Sequence, residues 1–289
     1  MNWQDIELLV TLYNTKNITH AANQLYVSQS TLSSRLHNLE KKYDIPIVLR
    51  KRRGITFTPE GVMLAKFAQN MQREHEKMRE QLDKLQGAVA GTLRVGVSNF
   101  FALNKMPKLL RLFQREHPNV ECHVITGWSS EMYRKLLNHD VHVVIIKGDY
   151  PWQEGKQLLY QESIVVASPW DFDWVDLPKL PRIDYHTDQT MKQTVDQWWY
   201  TKYKQEPFTN IYVNQVETCK EMIVNKLGYG IVTELVVQRN PDLVINPLIT
   251  KDGELLTRPT WLYYGSDALT LNVVRAFIEF VSKVDVKRF

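Results

Sequence analysis

Apolar side chains recur with a helical period in the first part of the chain. A first helix is predicted by apolar residues at positions i, i+3, i+4 and i+7, which are Ile6, Leu9, Val10 and Tyr13. Polar residues 14–17 end this run, and Thr19 is suited to cap a second short helix that buries Ala22 and Leu25. The pattern therefore predicts short helices packed around one small apolar core.

A third predicted helix combines a regular apolar stripe with a polar face. Ser28 suits its N-cap, and the apolar stripe consists of Leu32, Leu36, Leu39 and Tyr43. The first turn and the outer face hold small or donor-rich side chains, which are Gln29, Ser30, Thr31, Ser33, Ser34, Arg35 and His37. Such side chains allow the start of a helix to reach base edges in the major groove of DNA. A solvated face of a small helical domain is the alternative.

A basic hairpin is predicted directly after the third helix. Residues 47–50 and 55–58 are two β-prone runs, and Arg50, Lys51, Arg52 and Arg53 follow one another between them. Four adjacent cations repel one another unless a phosphate backbone lies nearby. Residues 1–66 hold nine Lys or Arg against five Asp or Glu, which equals the net charge of +4 of the whole chain. This distribution favours a nucleic-acid-binding head, although a plain solvated turn would have the same local sequence.

A long helix is predicted after the hairpin. Thr58 and Pro59 form a typical helix start, and neither proline nor glycine occurs in residues 62–86. Apolar or semi-apolar positions alternate at spacings of 4 and 3, and they are Leu64, Ala68, Met71, His75, Met78, Leu82 and Leu85. This heptad pattern predicts pairing with the same helix of a second copy, with packing along the chain's own C-terminal half as the alternative. Residues 87–91 suit a hinge.

From Thr92 onward, short apolar strands alternate with amphipathic helices. The strands predicted first are residues 93–97, 120–125 and 141–146, and a second block of similar pattern runs from about 163 to 265. This alternation predicts a doubly wound, mostly parallel α/β sheet. No run approaches the roughly 18 apolar residues of a membrane span, and the start lacks the features of a signal peptide.

Signs of catalysis, cofactors or metals are weak. Cys122 and Cys219 are the two cysteines, and such low usage fits a reducing cytoplasm. His139, Asp140 and His142 are close in sequence, but their spacing and the lack of a second Cys/His pair argue against a metal site. We find no local nucleophile–base signature. The expectation is a cytoplasmic protein that is not an enzyme and holds no metal or cofactor.

The N-terminal pattern resembles the signature of LysR-type transcriptional regulators. The matching positions are Ala21, Ala22, Leu25, Val27 to Ser30, Leu32, Ser33, Leu39, Glu40, Leu49, Arg50 and Thr58 to Gly61. The resemblance implies DNA contacts by the third helix and the hairpin, through Ser28, Gln29, Ser30, Thr31, Ser33, Arg35, Arg50, Arg52 and Arg53. Asp44 and Val48 depart from the family's usual Gly and Phe, which leaves open the turn after the third helix.

The second half resembles the periplasmic-binding-protein-like sensor domain of the same family, on residues 91–96, Phe113, Pro118 and 227–231. His142 stands where the family has Asp. The resemblance implies two subdomains with a ligand cleft at strand and helix ends, where free N–H groups suit a small carboxylate or another anion. Six residues at such ends are candidate effector contacts: Ser98, Asn99, Trp128, Ser129, Asn214 and Thr233. Ordinary helix capping is the alternative for the hydroxyl residues.

Together these patterns and the family resemblance predict an α/β protein with a winged helix-turn-helix at 1–58, a dimerisation helix and hinge at 59–90, and an effector-binding domain at 91–289. Its first subdomain is expected at about 91–162 and 266–289, and its second at about 163–265. The predicted function is effector-controlled, sequence-specific transcriptional regulation. The expected partners are a pseudo-palindromic operator in double-stranded DNA, a small-molecule effector and further copies in a homodimer or homotetramer, with RNA polymerase left open. The alternatives are an architectural DNA-binding protein whose body only oligomerises and an enzyme domain fused to a DNA-binding head.

Overall fold

The structure is a computed structural model, and it describes residues 1–51, 54–84, 89–238 and 240–289. The chain divides into two compact units, Met1–Gly87 and Ala88–Phe289. Each unit has its own hydrophobic core.

The first unit consists of helices followed by a hairpin and a long helix: α1 Trp3–Thr15, α2 Ile18–Gln24, α3 Gln29–Tyr43, β1 Val48–Lys51, β2 Gly54–Phe57 and α4 Pro59–Lys84. The Ser28 side chain caps α3 by accepting from the Thr31 amide at 3.1 Å. The cap predicted at Thr19 is wrong. Asn17 caps α2 instead, because its Oδ1 accepts from the His20 amide at 3.1 Å and the helix already begins at Ile18.

The core of the first unit lies between α1, α2, α3 and the start of α4. Its fully buried members include Leu9, Leu12, Ala21 and Leu32, whereas Tyr43 at the end of the predicted stripe is 39% exposed. Asp44 ends α3 in the left-handed conformation, with φ 53°. The chain thus makes a turn that glycine would adopt with less strain, and the fold of α3 is unaffected.

The antiparallel hairpin of β1 and β2 is attached to the end of α1. The Ile55 amide donates to the Lys16 carbonyl at 3.1 Å. Gly54 has φ +114°, and a Cβ at this position would lie 2.8 Å from the Lys16 oxygen. A side chain therefore does not fit at the start of β2, and the close approach fixes the hairpin beside the helices.

Helix α4 begins as predicted at Pro59, with a buried threonine at its N-terminus. The Thr58 Oγ1 accepts from the Gly61 amide at 2.9 Å and donates to the Pro46 carbonyl at 2.6 Å. Ala65 and Ala68 are fully buried within the first unit. Four large apolar side chains of α4 are exposed, namely Met63, Phe67, Met71 and Met78. The predicted seam is therefore split, since Ala68 packs inside the unit while Met71 and Met78 face outward.

The second unit alternates strands and helices. Its first half contains β3 Gly91–Ser98, α5 Asn99–Asn104, α6 Met106–Glu116, β4 Val120–Gly127, α7 Ser129–Leu137, β5 Val143–Lys147 and β6 Gly155–Ser168. Then follow β7 Arg182–Tyr185, α8 Gln189–Tyr203, β8 Thr209–Val213, α9 Val216–Val224, β9 Gly230–Thr233, α10 Glu234–Val237, β10 Val244–Pro247, β11 Thr257–Tyr264 and α11 Asn272–Lys283.

The strands of the second unit form a mixed arrangement. Strand β3 runs parallel to β4 and β5, and β7 runs parallel to β8. Strand β11 is antiparallel to both β5 and β6, while the end of β6 pairs antiparallel with β9 and β10. The sheet is thus less parallel than predicted, because β11 returns from the second half. Strand β11 lies between β5 and β6 in this sheet, although its residues 257–264 fall within the range predicted for the second subdomain.

Candidate functional site

The start of α3 presents an uninterrupted polar surface. Gln29, Ser30 and Thr31 are exposed, while Ser33 and Arg35 are half-buried. The opposite side of the same helix carries Leu32, Leu36 and Leu39, all of them buried in the core. Because the apolar stripe fixes the rotation of α3, the polar side chains must face outward.

Hydroxyl groups form a small network at the tip of α3. The Ser28 Oγ lies 2.8 Å from the Ser30 Oγ and 2.7 Å from the Thr31 Oγ1. The free N–H groups of a helix N-terminus and these hydroxyls together suit contact with a phosphate or a base edge. Of the predicted hairpin contacts, Arg50 lies in β1 with its side chain outside the described part, and Arg52 and Arg53 lie outside the described residues.

A cavity of about 890 Å³ lies within the second unit. Five helices begin at its wall, and the residue before each helix lines it: Ser98 for α5, Trp128 for α7, Asp188 for α8, Gln215 for α9 and Thr233 for α10. The residues before α5, α9 and α10 make no side-chain cap. The first-turn N–H groups of α5 and α9 remain available, whereas the Leu235 amide of α10 already donates to the Glu162 Oε2 at 3.3 Å. The helix dipoles add positive potential at the wall.

Buried ion pairs lie at the wall of this cavity. Lys147, at the end of β5, contacts the Glu162 carboxylate on β6, and its Nζ donates to the Thr233 Oγ1 at 3.0 Å. Burial lowers the pKa of Lys147, and the Glu162 carboxylate opposes this shift. On the neighbouring strand, Arg258 lies opposite Glu162 and pairs with Asp188. Burial also lowers the pKa of the Arg258 guanidinium.

Five of the six predicted effector contacts line this cavity: Ser98, Asn99, Trp128, Ser129 and Thr233. Ser129 Oγ also accepts from the Lys147 amide at 3.3 Å. Asn214 is exposed and lies outside the lining, which instead includes its neighbour Gln215. Whether these side chains contact an effector remains a prediction.

Sequence reasoning missed the ionisable residues of the wall, among them Lys147, Arg182, His186 and Arg258. Lys147 directly follows the apolar run of β5, so the rule that selected Ser98 at a strand end would also have selected it. Trp128 and His186 come from different halves of the unit, with ring centroids 4.7 Å apart. The sequence carries no local sign of that contact.

Other candidate chemistry is limited. Among the described residues, no three His, Cys, Asp or Glu side chains come together as a metal site requires. The His142 imidazole is buried and accepts from the Arg94 amide through Nδ1 at 3.2 Å. Cys219 is buried, and burial raises the pKa of its thiol to about 12. Every helix in the described ranges is too short or too polar to cross a membrane.

Comparisons with known protein families match both units. Residues 3–62 match the model of the bacterial regulatory helix-turn-helix protein, lysR family, and residues 86–285 match the LysR substrate binding domain. The chain belongs to the LysR family. Two Bacillus subtilis regulators named YkuM and YraN are similar to this LysR-family chain, at 34% identity over 283 residues and 36% over 281. In both comparisons the match covers 97% of each chain.

Solved structures of full-length family members show the same fold as this LysR-family chain. An OxyR variant from Pseudomonas aeruginosa superposes with a TM-score of 0.70 at 19% identity, over 99% of this chain and 96% of OxyR. The structure of CbnR complexed with its target DNA gives a TM-score of 0.65 at 16% identity, over 98% of this chain and 99% of CbnR. The predicted fold class is confirmed. The chain is a LysR-type transcriptional regulator with a DNA-binding helix-turn-helix and an effector-binding domain, rather than an enzyme.

Proposed function

We propose that this LysR-type regulator reads a pseudo-palindromic operator through α3 and responds to a small carboxylate or another small anion in the cavity of its second unit. The exposed polar start of α3, held against a buried apolar stripe, is the observation that carries the proposal. Base edges are read by side chains such as Gln29, Ser33 and Arg35 at the start of a groove-binding helix. CbnR, which has the same fold, is known in complex with its target DNA.

The cavity supports the anionic effector. The starts of α5 and α9 have no side-chain cap and line the same cavity, and such starts bind carboxylates and phosphates through N–H groups. A cavity of about 890 Å³ lies in the range of small-molecule sites, which is about 300–1,000 Å³. An effector acts only through different affinities for two arrangements of the protein. We infer that occupied and empty cavities favour different operator complexes.

The exposed apolar row on α4 supports self-association. Met63, Phe67, Met71 and Met78 lie on a helix whose alanines are buried in its own unit. A second copy of α4 would cover this row, and a symmetric dimer would present two α3 helices to half-sites about 34 Å apart. We propose a homodimer or homotetramer as the working form.

Substitutions in α3 test the DNA-reading part of the proposal. Operator sequences are first selected from a random duplex library with the full chain, and affinities are then measured by fluorescence anisotropy. Gln29→Ala and Ser33→Ala should each weaken binding to the selected operator by about 1–3 kcal/mol and leave random DNA almost unchanged. Asn38→Ala is the matched control, because Asn38 is exposed on the same helix and is not a proposed contact.

The proposed hairpin contacts should behave differently. Replacing Arg52 and Arg53 by alanine removes two phosphate-binding cations, so all DNA sequences should bind more weakly. The slope of log affinity against log salt should fall by about 1.8 in magnitude. Equal losses on operator and random DNA for Gln29→Ala would reduce its role to phosphate contact. An unchanged salt slope would remove the hairpin from the interface, and absence of duplex binding in dilute buffer would refute the proposal. An effector that binds without altering the DNA complex would favour the architectural alternative.

A further inference from the structure

The buried cations of the cavity already have carboxylate partners. Lys147 contacts Glu162, Arg258 contacts Asp188, and the Arg182 Nε lies 2.7 Å from the Asp184 Oδ1. The other Lys and Arg side chains of the wall, Arg134 and Lys192, are exposed, where solvent and salt weaken their fields. The wall therefore offers an anion its helix N-termini but no unpaired buried cation.

Two half-buried carboxylates of the same wall have no such partner. Glu217, in the first turn of α9, and Asp196, on α8, are both half-buried and line the cavity. Within the described ranges, neither carboxylate has a Lys, Arg or His nitrogen within 4.0 Å. The Glu217 charge slightly opposes the lowering of the Lys147 pKa that burial causes. A partly desolvated carboxylate facing a cavity is stabilised by a cation that enters it.

A hydroxyl with no partner marks a second position on the wall. Ser98 is 6% exposed, and its Oγ is buried without a hydrogen-bond partner among the described residues. It lines the cavity together with the N-terminus of the nine-residue helix α7. A buried hydroxyl without a partner costs free energy unless a ligand or water satisfies it. This place suits one end of a polar ligand.

We propose that the effector is a zwitterion with one carboxylate and one ammonium group, of the α-amino acid class. Its carboxylate binds at the Ser98 hydroxyl and the α7 N-terminus, and its ammonium binds at the Glu217 carboxylate. The inference rests on the proposed effector function of this cavity and narrows its ligand class. A zwitterion brings no net charge into a wall whose cations are already neutralised, and it supplies partners for both Ser98 and Glu217.

Matched ligand sets test this ligand class directly. Isothermal titration calorimetry on the full chain compares each common L-amino acid with the carboxylate that lacks its amino group and with the amine that lacks its carboxylate. At least one amino acid should bind about ten-fold or more tighter than either matched compound, as expected for a charge-assisted hydrogen bond. Glu217→Gln should reduce the affinity for this amino acid by about ten-fold and leave the matched carboxylate unchanged. Ser98→Ala should weaken both ligands alike.

Glu221→Gln is the control variant, because Glu221 is exposed on the same helix α9 and lies outside the cavity wall. The ligand class is overturned if matched carboxylates bind as tightly as the amino acids, or if no member of the sets binds. It is also overturned if Glu217→Gln and Glu221→Gln have equal effects. Tight carboxylate binding alone would leave the proposed anionic effector standing. The DNA-binding assays contain no ligand, so they decide the DNA-reading part separately.

Discussion

His142 should make the second unit lose stability in mild acid. The imidazole is 7% exposed, and its Nδ1 accepts a hydrogen bond from the Arg94 amide. Burial, and to a lesser degree the Arg94 charge, lowers the pKa of His142 from 6.5 to about 3. The folded protein therefore keeps this imidazole neutral at a pH where an unfolded chain would protonate it.

The sign and size of the effect follow from proton linkage. As pH falls below the unfolded pKa of 6.5, protons bind the unfolded chain and stability is lost at about 1.4 kcal/mol per pH unit. The loss continues until the folded pKa of about 3. At pH 5 the contribution of this one group should be about 2 kcal/mol relative to pH 7.5.

Urea unfolding followed by tryptophan fluorescence measures this loss, because seven of the eight tryptophans lie in the second unit. The free energy of unfolding is measured at about pH 7.5 and at about pH 5, and His142 should contribute about 2 kcal/mol to the difference between them. His142→Asn keeps an acceptor near Nδ1 but cannot titrate, so its loss should be smaller than the wild-type loss by this amount. His139→Asn is the control, because His139 is exposed. Equal losses in wild type and His142→Asn would refute the reasoning.

Two further substitutions test buried contacts. Glu162→Gln leaves the Lys147 ammonium buried without its carboxylate, so the free energy of unfolding in urea should fall by about 3–5 kcal/mol. The double variant Lys147→Met with Glu162→Leu should recover most of this stability. A loss below about 1 kcal/mol for Glu162→Gln would contradict a tight pair. Thr58→Ala removes the cap of α4 and the bond to the Pro46 carbonyl, so thermal unfolding of the first unit should show a loss of about 1–2 kcal/mol. Thr58→Ser keeps the hydroxyl and should lose little, and equal effects of the two variants would show that the hydroxyl is unimportant.

Local signals predicted the first unit well. Ser28 and the Thr58–Pro59 pair act within a few residues of their own positions, so the sequence alone places the starts of α3 and α4. The cap of α2 was misplaced because Asn17 and Thr19 are both acceptable cap residues. The choice depends on where the chain leaves α1, at Lys16 in the left-handed conformation.

Part of the cavity wall is formed by side chains that reach it only because strands far apart in sequence pair with each other. Ser98, Trp128 and Thr233 each stand next to the end of a predicted strand, so the sequence alone indicates that they lie at strand and helix ends. Arg258 reaches the cavity only because β11 lies against β6 with Arg258 opposite Glu162. Strand pairing across about a hundred residues has no local signature, so the ion pairs that neutralise the wall could not be read from the sequence.

Strand β6 belongs to two sets of paired strands, and this continuity bears on how the second unit can move. It pairs with β11 along residues 155–163 and with β9 and β10 along residues 164–168. Any movement of these two regions relative to each other would therefore have to twist a hydrogen-bonded strand and could not be absorbed by a flexible loop. The pairing of β6 with β11 shifts register between Thr260 and Trp261, and such a bulge increases the local twist of the strands.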